Sequence, residues 1–197
     1  QEDFEGAFPN QWQVRDNEPG YGEYYWGKRN CRPFAGSYSG WGVGGGANGS
    51  GLACGSNYPN YTQSWMVFGP FSLVGATAAD LNFKLWLNTE ICCDLVFRGA
   101  SIDGTNFYGY TTRGNSGGWI DRTLNLADVP PLGSLLGRSQ VWIALVFDSD
   151  LSNTLAEGGY VDNIVLRKSS GTSGIEPAQP APDVGTVTDS LGHLVLK

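Results

Sequence analysis

The sequence predicts an all-β chain: an antiparallel β-sandwich of jelly-roll type, followed by a linker and a short strand-forming tail. Three observations carry this. Gly accounts for 29 of the 197 residues, too many for a mostly helical chain, because each Gly in a helix interior costs about 1 kcal/mol against Ala. Apolar residues recur at every second position in several stretches, the period of a half-buried strand. About ten such stretches, short and bounded by Gly, Pro, Asn or Asp, follow one another with almost no helical pattern between them, as in a sandwich.

Taken in order, Phe4, Phe8, Trp12 and Val14 mark two short strands around a turn at Pro9-Asn10. Ser37–Val43 is a strand, and Gly44–Gly51, with five Gly in eight residues, is a flexible loop. Ser64–Phe68 is a strand ended by Gly69-Pro70. In Asp80–Asn88, Leu81, Phe83, Leu85 and Leu87 share one face, while Asn82, Lys84, Trp86 and Asn88 share the other. Cys93–Ser101 is the next strand, and Asp103-Gly104 turns it into Phe107–Tyr110 as a hairpin. Gly118–Leu126, Val141–Phe147 and Gly159–Arg167 complete the set; Val141–Phe147 is apolar on both faces, as a central strand should be. A short helix over Leu132–Leu136 fits the loop after Pro130-Pro131. From Ser169 the composition turns to Ser, Gly, Thr, Pro and Ala. The organisation is therefore a sandwich over 1–168, a linker over 169–183 and a tail over 184–197. The tail holds two short strand-forming segments, too small to fold alone.

Composition narrows the function. The net charge is −7. The densest basic run, Lys28, Arg29 and Arg32, has Glu23 close by, so the basic stripe of a nucleic-acid binder is missing. No apolar run approaches the ~20 residues of a membrane helix. The one His, His193, lies in the tail, which leaves little for His-based catalysis or zinc. A glycosidase needs two carboxylates at a defined separation, and no ExDxxE-type run occurs. The chain reads as non-enzymatic. It starts at Gln1, as expected of a processed product that is secreted or held at the cell surface.

The four cysteines show no CxxC zinc spacing. Cys31 and Cys54 are expected to pair and close a Gly-rich segment. Cys92 and Cys93 are adjacent and would point to opposite faces of a strand; they either bond to each other or stay free and buried, and free thiols are favoured. Asn48-Gly-Ser50 and Asn60-Tyr-Thr62 match the N-glycosylation pattern, which matters only in a glycosylating host. Aromatic faces suit sugar rings, which pack on them through C–H groups. Tyr24, Tyr25 and Trp26 lie in a Gly-punctuated loop, and Trp41, Tyr58 and Tyr108 in or beside polar stretches; these six are the candidate glycan contacts. Trp65, Trp119 and Trp142 are expected in the core.

Several short motifs carry a resemblance. Asp3-Phe4-Glu5, Ser64–Leu73, Ala100–Phe107, Gly117–Trp119, Val146–Asp150 and Gly159–Ile164 follow one another as in MAM-like jelly-roll domains of secreted bacterial surface proteins. The chain is similar over residues 2–168 to the accessory domain of immune inhibitor A metallopeptidases. It has no HExxH helix, so peptidase activity is not implied. Asp162 shares strand parity with Tyr160, Ile164 and Leu166. If that face is the core, its carboxylate needs neutralising. Calcium, which takes six to eight oxygen ligands, often joins the first and last strands of modules that resemble this chain. The resemblance then implies Asp3, Glu5 and Asp162 as its carboxylates; otherwise Asp162 pairs with backbone N–H groups. Asp148, Asp150 and Glu157 are a rival acidic cluster.

The expected function is a non-catalytic extracellular adhesion or recognition module, stabilised by calcium, with a surface protein or glycan as partner. Two alternatives stand beside it. One is a subunit of a surface assembly or filament that polymerises by strand addition through 184–197. The other is a carbohydrate-binding module.

Overall fold

Period-two burial settles the architecture. The computed structural model describes residues 1–171 and, beyond them, Val187–Thr188 and Leu194–Val195, two short strands that pair with each other. The role expected of the tail, docking on this or another molecule, lies outside the described residues.

Ten strands form two five-stranded sheets. The first runs in the order β1 (Gln13–Asp16), β4 (Gln63–Phe71), β9 (Val141–Asp148), β6 (Leu95–Ser101) and β7 (Tyr108–Arg113). The second runs β2 (Tyr25–Arg29), β3 (Ser39–Gly45), β10 (Gly158–Ser170), β5 (Ala76–Asn88) and β8 (Ile120–Asn125). Every pairing is antiparallel. Only β2–β3 and β6–β7 are hairpins; each other link between these strands crosses from one sheet to the other, the winding of a jelly roll.

The core lies between the sheets. Leu81, Phe83, Leu85 and Leu87 of β5 face Met66, Val96, Ile143, Leu145 and Phe147 from β4, β6 and β9. β3 contributes mostly absent side chains. The rings of Phe4 and Phe147 occupy the space that a Cβ on Gly40 or Gly42 would need. Gly in β3 thus admits two aromatic rings from elsewhere in the chain.

β10 carries a one-residue bulge. Asp162 pairs with Lys84 but Val165 with Asn82, a shift of one position, and Asn163 between them has φ 47°. The bulge exchanges the faces. Tyr160 and Asp162 point away from the core, while Ile164 points into it; the shared parity expected of them does not hold.

The two outer faces differ. On the second sheet Trp41, Tyr160 and Trp86 form one cross-strand row. Trp41 stacks on Tyr160 at 5.4 Å, with Trp86 edge-on to the same ring. The segment after β2 covers this row. Arg32 lies 3.9 Å over Trp86 and pairs with Glu157, and Phe34 meets Trp119 at 5.8 Å. The Cys31–Cys54 disulfide staples the cover. On the first sheet the outer face stays open.

Three expectations are corrected. Leu132–Leu136 is not helical, because Pro130-Pro131 and Gly133 (φ 69°) shape a turn in which Leu135 plugs the core. Gly44–Gly51 is no loose loop. β3 runs to Gly45 and a single helical turn, α1 (Gly46–Gly49), follows, pinned where the Glu23 carbonyl accepts the amides of Asn48 and Gly49. Trp26 and Trp41 are fully buried, whereas Trp65, Trp119 and Trp142 are half-buried.

The Cys31–Cys54 bond spans 23 residues. Cys31→Ser with Cys54→Ser is expected to cost about 3 kcal/mol, lowering the Tm by roughly 6–12 °C for a sandwich of this size. A calorimetric melt checks it; an unchanged midpoint would show that the cover holds without its staple.

Candidate binding groove

The open outer face of the first sheet is built from register. One row crosses all five strands: Arg15, Trp65, Val146, Phe97 and Thr111. A neighbouring row holds Gln63, Asp148, Leu95 and Arg113. The row on the other side is small, with Val67, Ala144, Gly99 and Gly109. Large rings beside small residues make a groove. Val67, Ala144 and Val146 are its floor, and Trp65, Phe97, Phe107 and Trp142 lean over them. The hollow between Trp65, Phe107 and Asp148 is about 300 Å³.

Polar groups line the same groove. The Trp65 indole N–H donates to Gln63 Oε1 at 3.2 Å, and Asn17 donates to that oxygen at 3.1 Å. Arg15 donates to Asn17 and lies 5.1 Å over the Trp65 ring. Phe107 follows a fixed turn, where the Asp103 carboxylate accepts the amides of Thr105 and Asn106 at 2.8 Å each, and its ring meets Trp65 at 5.5 Å.

On the other side of Gln63 and Asp148 lies a second hollow of about 220 Å³, between Glu18, Tyr61, Cys93 and Asp150. Burial holds the Asp148 carboxyl above its ordinary value; the Gln63 amide offsets part of this, and the charges of Asp94 and Glu18 add to it. Asp94, 1% exposed behind the hollow, is raised by burial as well, and its carboxylate takes the Tyr58 hydroxyl and the Asp150 amide.

The six aromatics singled out from sequence are not brought together. Trp26 and Tyr58 are buried in the interior and Trp41 under the cover of the second sheet, so none of the three presents a face to a ligand. Trp26 donates to the Ser64 carbonyl, Trp41 to the Glu157 carbonyl and Tyr58 to Asp94. Tyr24 and Tyr25 are half-buried around the start of β2. Tyr108 is exposed, but on β7 it alternates with the groove residue Thr111 and faces the other way. The groove residues Gln63, Trp65, Phe97 and Phe107 were missed. Their signal was β9 itself, apolar on both faces, since the second face must lie against something other than the core.

At the other end of the sandwich the N-terminus is strapped down. Glu2 bridges Ile164, Glu5 Oε1 accepts the amides of Ser37 and Tyr38, and Lys28 holds the carbonyls of Glu5 and Gly6. Asp162 is fully buried nearby; its oxygens accept the amides of Phe34, Ala35 and Asn163. Burial raises its carboxyl, and the Glu5 charge adds to this. Asp3 accepts the Glu5 amide at 3.2 Å. The rival cluster divides: Asp148 and Asp150 share the second hollow, while Glu157 pairs with Arg32. Among the described residues, the carboxylates that cluster closely enough to share an ion are Glu90, Asp94 and Asp150, and the Cys92 and Cys93 sulfurs near Glu90 are bonded to each other; Asp3, Glu5 and Asp162 are not gathered into such a cluster.

The fold has relatives among solved structures. The K1 cleaved adhesin domain of Lys-gingipain from Porphyromonas gingivalis W83 matches with TM-score 0.54 and 17% identity, covering 86% of this chain and 97% of that one. The carbohydrate-binding module TmCBM61, solved in complex with beta-1,4-galactotriose, matches with TM-score 0.53 and 11% identity, over 85% and 94%. The family 11 carbohydrate-binding module of the Clostridium thermocellum cellulase Lic26A-Cel5E matches with TM-score 0.51 and 16% identity, over 85% and 92%. At these identities the likeness is one of fold. No protein-family model and no curated protein matches the sequence.

Asp148 gives a pH test. A raised carboxyl favours its protonated form in the folded chain. Its contribution to stability is fully present below the unfolded value of about 3.9 and is lost as the pH rises through the raised folded value. Asp148→Asn is therefore expected to melt above the wild type near pH 7.5 and level with it near pH 3.5. Melts across that range decide; equal midpoints at the upper end would refute it.

Proposed function

We propose that this chain is a non-catalytic recognition module working outside the cell, which binds a neutral glycan along the open face of its first sheet. One observation carries the reading: two sheets with aromatic outer faces, of which one is sealed by a disulfide-stapled segment and the other is left as a groove. Half-exposed Trp65, Phe97 and Phe107 offer apolar faces for C–H groups of a sugar. Gln63, Asp148 and Thr111 beside them offer acceptors and donors for hydroxyls. The carboxylates Asp148, Glu18 and Asp150 disfavour an anionic chain. Two disulfides fit an oxidising compartment. The fold-level likeness to adhesin and carbohydrate-binding domains agrees with binding rather than catalysis.

A glycan array followed by titration of the best neutral oligosaccharide tests this. Trp65→Ala is expected to weaken binding about thirtyfold, the ~2 kcal/mol of a central aromatic contact, while Tyr108→Ala on the other face changes nothing. Binding that survives Trp65→Ala would remove the groove from the account.

We further propose that calcium joins the strapped N-terminus to β10 through Asp3, Glu5 and Asp162. The donors are all oxygens, as a hard cation requires. Asp162 is wholly buried; its oxygens take the backbone amides of Phe34, Ala35 and Asn163, the alternative partners expected of it, while its cross-strand neighbour Lys84 turns to Asp121 and leaves its charge without a cation on that side. The ion would supply fixed positive charge between two segments of the chain. Removing it with EDTA is expected to lower the Tm by roughly 5–10 °C, and Asp162→Asn to abolish that response. A midpoint indifferent to EDTA overturns the proposal.

A further inference from the structure

Cys92 and Cys93 are bonded to each other, where free thiols were expected. The correction has a geometric reason. Adjacent side chains of an extended strand point to opposite faces, so a bond between them demands a bend. The chain bends over Ile91–Cys93, and β6 starts at Leu95, two residues later than the sequence predicts. The flanks of the bend are fixed. The Thr89 amide donates to the Gly114 carbonyl, its hydroxyl to the Asp94 carbonyl, and the buried Asp94 carboxylate takes the Tyr58 hydroxyl. Arg113 donates to the Cys92 carbonyl at 2.7 Å and ties the bend to β7.

This rigid bend stands at the end of the groove. Cys93 lines the second hollow, and Gln63 and Asp148 line both it and the aromatic groove, so the two adjoin across this pair. The two bonded sulfurs are apolar and polarisable and donate no hydrogen bond, and the carbonyl of the peptide that closes the ring is taken by Arg113. The Cys93 half of the ring lines a hollow that also holds Asp148, Ser149 and Asp150. That pairing of one apolar wall with acceptors around it suits a single pyranose, with a C–H face on one side and hydroxyls at its rim.

We infer that the Cys92–Cys93 ring and Tyr61 wall a terminal subsite, which takes the last sugar of an oligosaccharide lying in the groove. The inference rests on the groove being a glycan site. The wall is the bonded pair of sulfurs itself, carried on a bend that hydrogen bonds of Thr89 and Arg113 hold in place. The subsite adds affinity only for chains long enough to reach it.

Calorimetric titration with cello-, xylo-, manno- and galacto-oligosaccharides of increasing length tests it. Reduction would also open Cys31–Cys54, so substitution is used. Against the wild type, Cys92→Ala with Cys93→Ala is expected to bind short oligosaccharides equally and to lose the final gain with length, up to about tenfold. Tyr61→Ala, which keeps the disulfide, is expected to lose the same gain, and Trp65→Ala to weaken every length. If the double cysteine variant binds every length like the wild type, or weakens all lengths alike, the subsite is overturned and the groove reading stands. If no oligosaccharide binds the wild-type protein, both fall.

Discussion

The structure depends on one strand being buried on both sides. β9 sends Val141, Ile143, Leu145 and Phe147 inward, and these are the centre of the core. It sends Trp142, Ala144 and Val146 outward, and Ala144 and Val146 are nearly as inaccessible as the inner set. A central strand of an antiparallel sandwich ordinarily shows its outer residues to water. Here they need a cover, and the neighbours in register supply it: Trp65 from β4 and Phe97 from β6 lie either side of Val146. The groove is the part of that apolar outer face that the rings do not close.

The same need is met differently on the opposite sheet. Trp41, Tyr160 and Trp86 would form an exposed aromatic ladder without the segment that follows β2. Covering it brings charge into the interior. Arg32 stacks on Trp86 and pairs with Glu157, whose backbone carbonyl takes the Trp41 indole N–H. Asp162, turned outward by the bulge at Asn163, takes the amides of Phe34 and Ala35 and anchors the far end of the cover. Most of the polar groups buried here are partnered and hold one layer onto another; the exception in the cover is Arg32 Nε, which is buried without a hydrogen-bond partner among the described residues.

Most of the fold was legible in the sequence because strands announce themselves by alternation. β5, β9 and the β6–β7 hairpin lie where Leu81–Leu87, Val141–Phe147 and Asp103-Gly104 put them. The order of short motifs likewise pointed to a jelly roll. The site was less legible. Trp41 and Trp65 both sit on outer faces, and alternation treats them alike. Only the path of a segment about ten residues from Trp41 in sequence buries one and spares the other, and no local pattern encodes that path. The bulge at Asn163 hid for a related reason: a single φ of 47° reverses parity without any change in the run of apolar residues. Cys92 and Cys93 were read as strand residues, but they are bonded to each other in a bend, and β6 begins only at Leu95.

Glycine links these observations. In β3 the absent side chains of Gly40 and Gly42 let Phe4 and Phe147 into the core. In the groove the absent side chain of Gly99 does the same on the outside, since the Phe97 ring lies where its Cβ would be. Gly109, opposite Gly99 in register, has no room for a Cβ against the backbone of Arg98. An added methyl at Gly99 would push the Phe97 ring off its neighbour and fill part of the hollow between the rings. The groove is therefore shaped by contrast in size along each row. Large rings on β4 and β6 stand beside Ala and Gly on β9, β6 and β7, and the sheet beneath need not bend to make room for a ligand. A face made this way is preformed, so a ligand entering it orders little of the protein, and a modest number of contacts is enough for useful affinity.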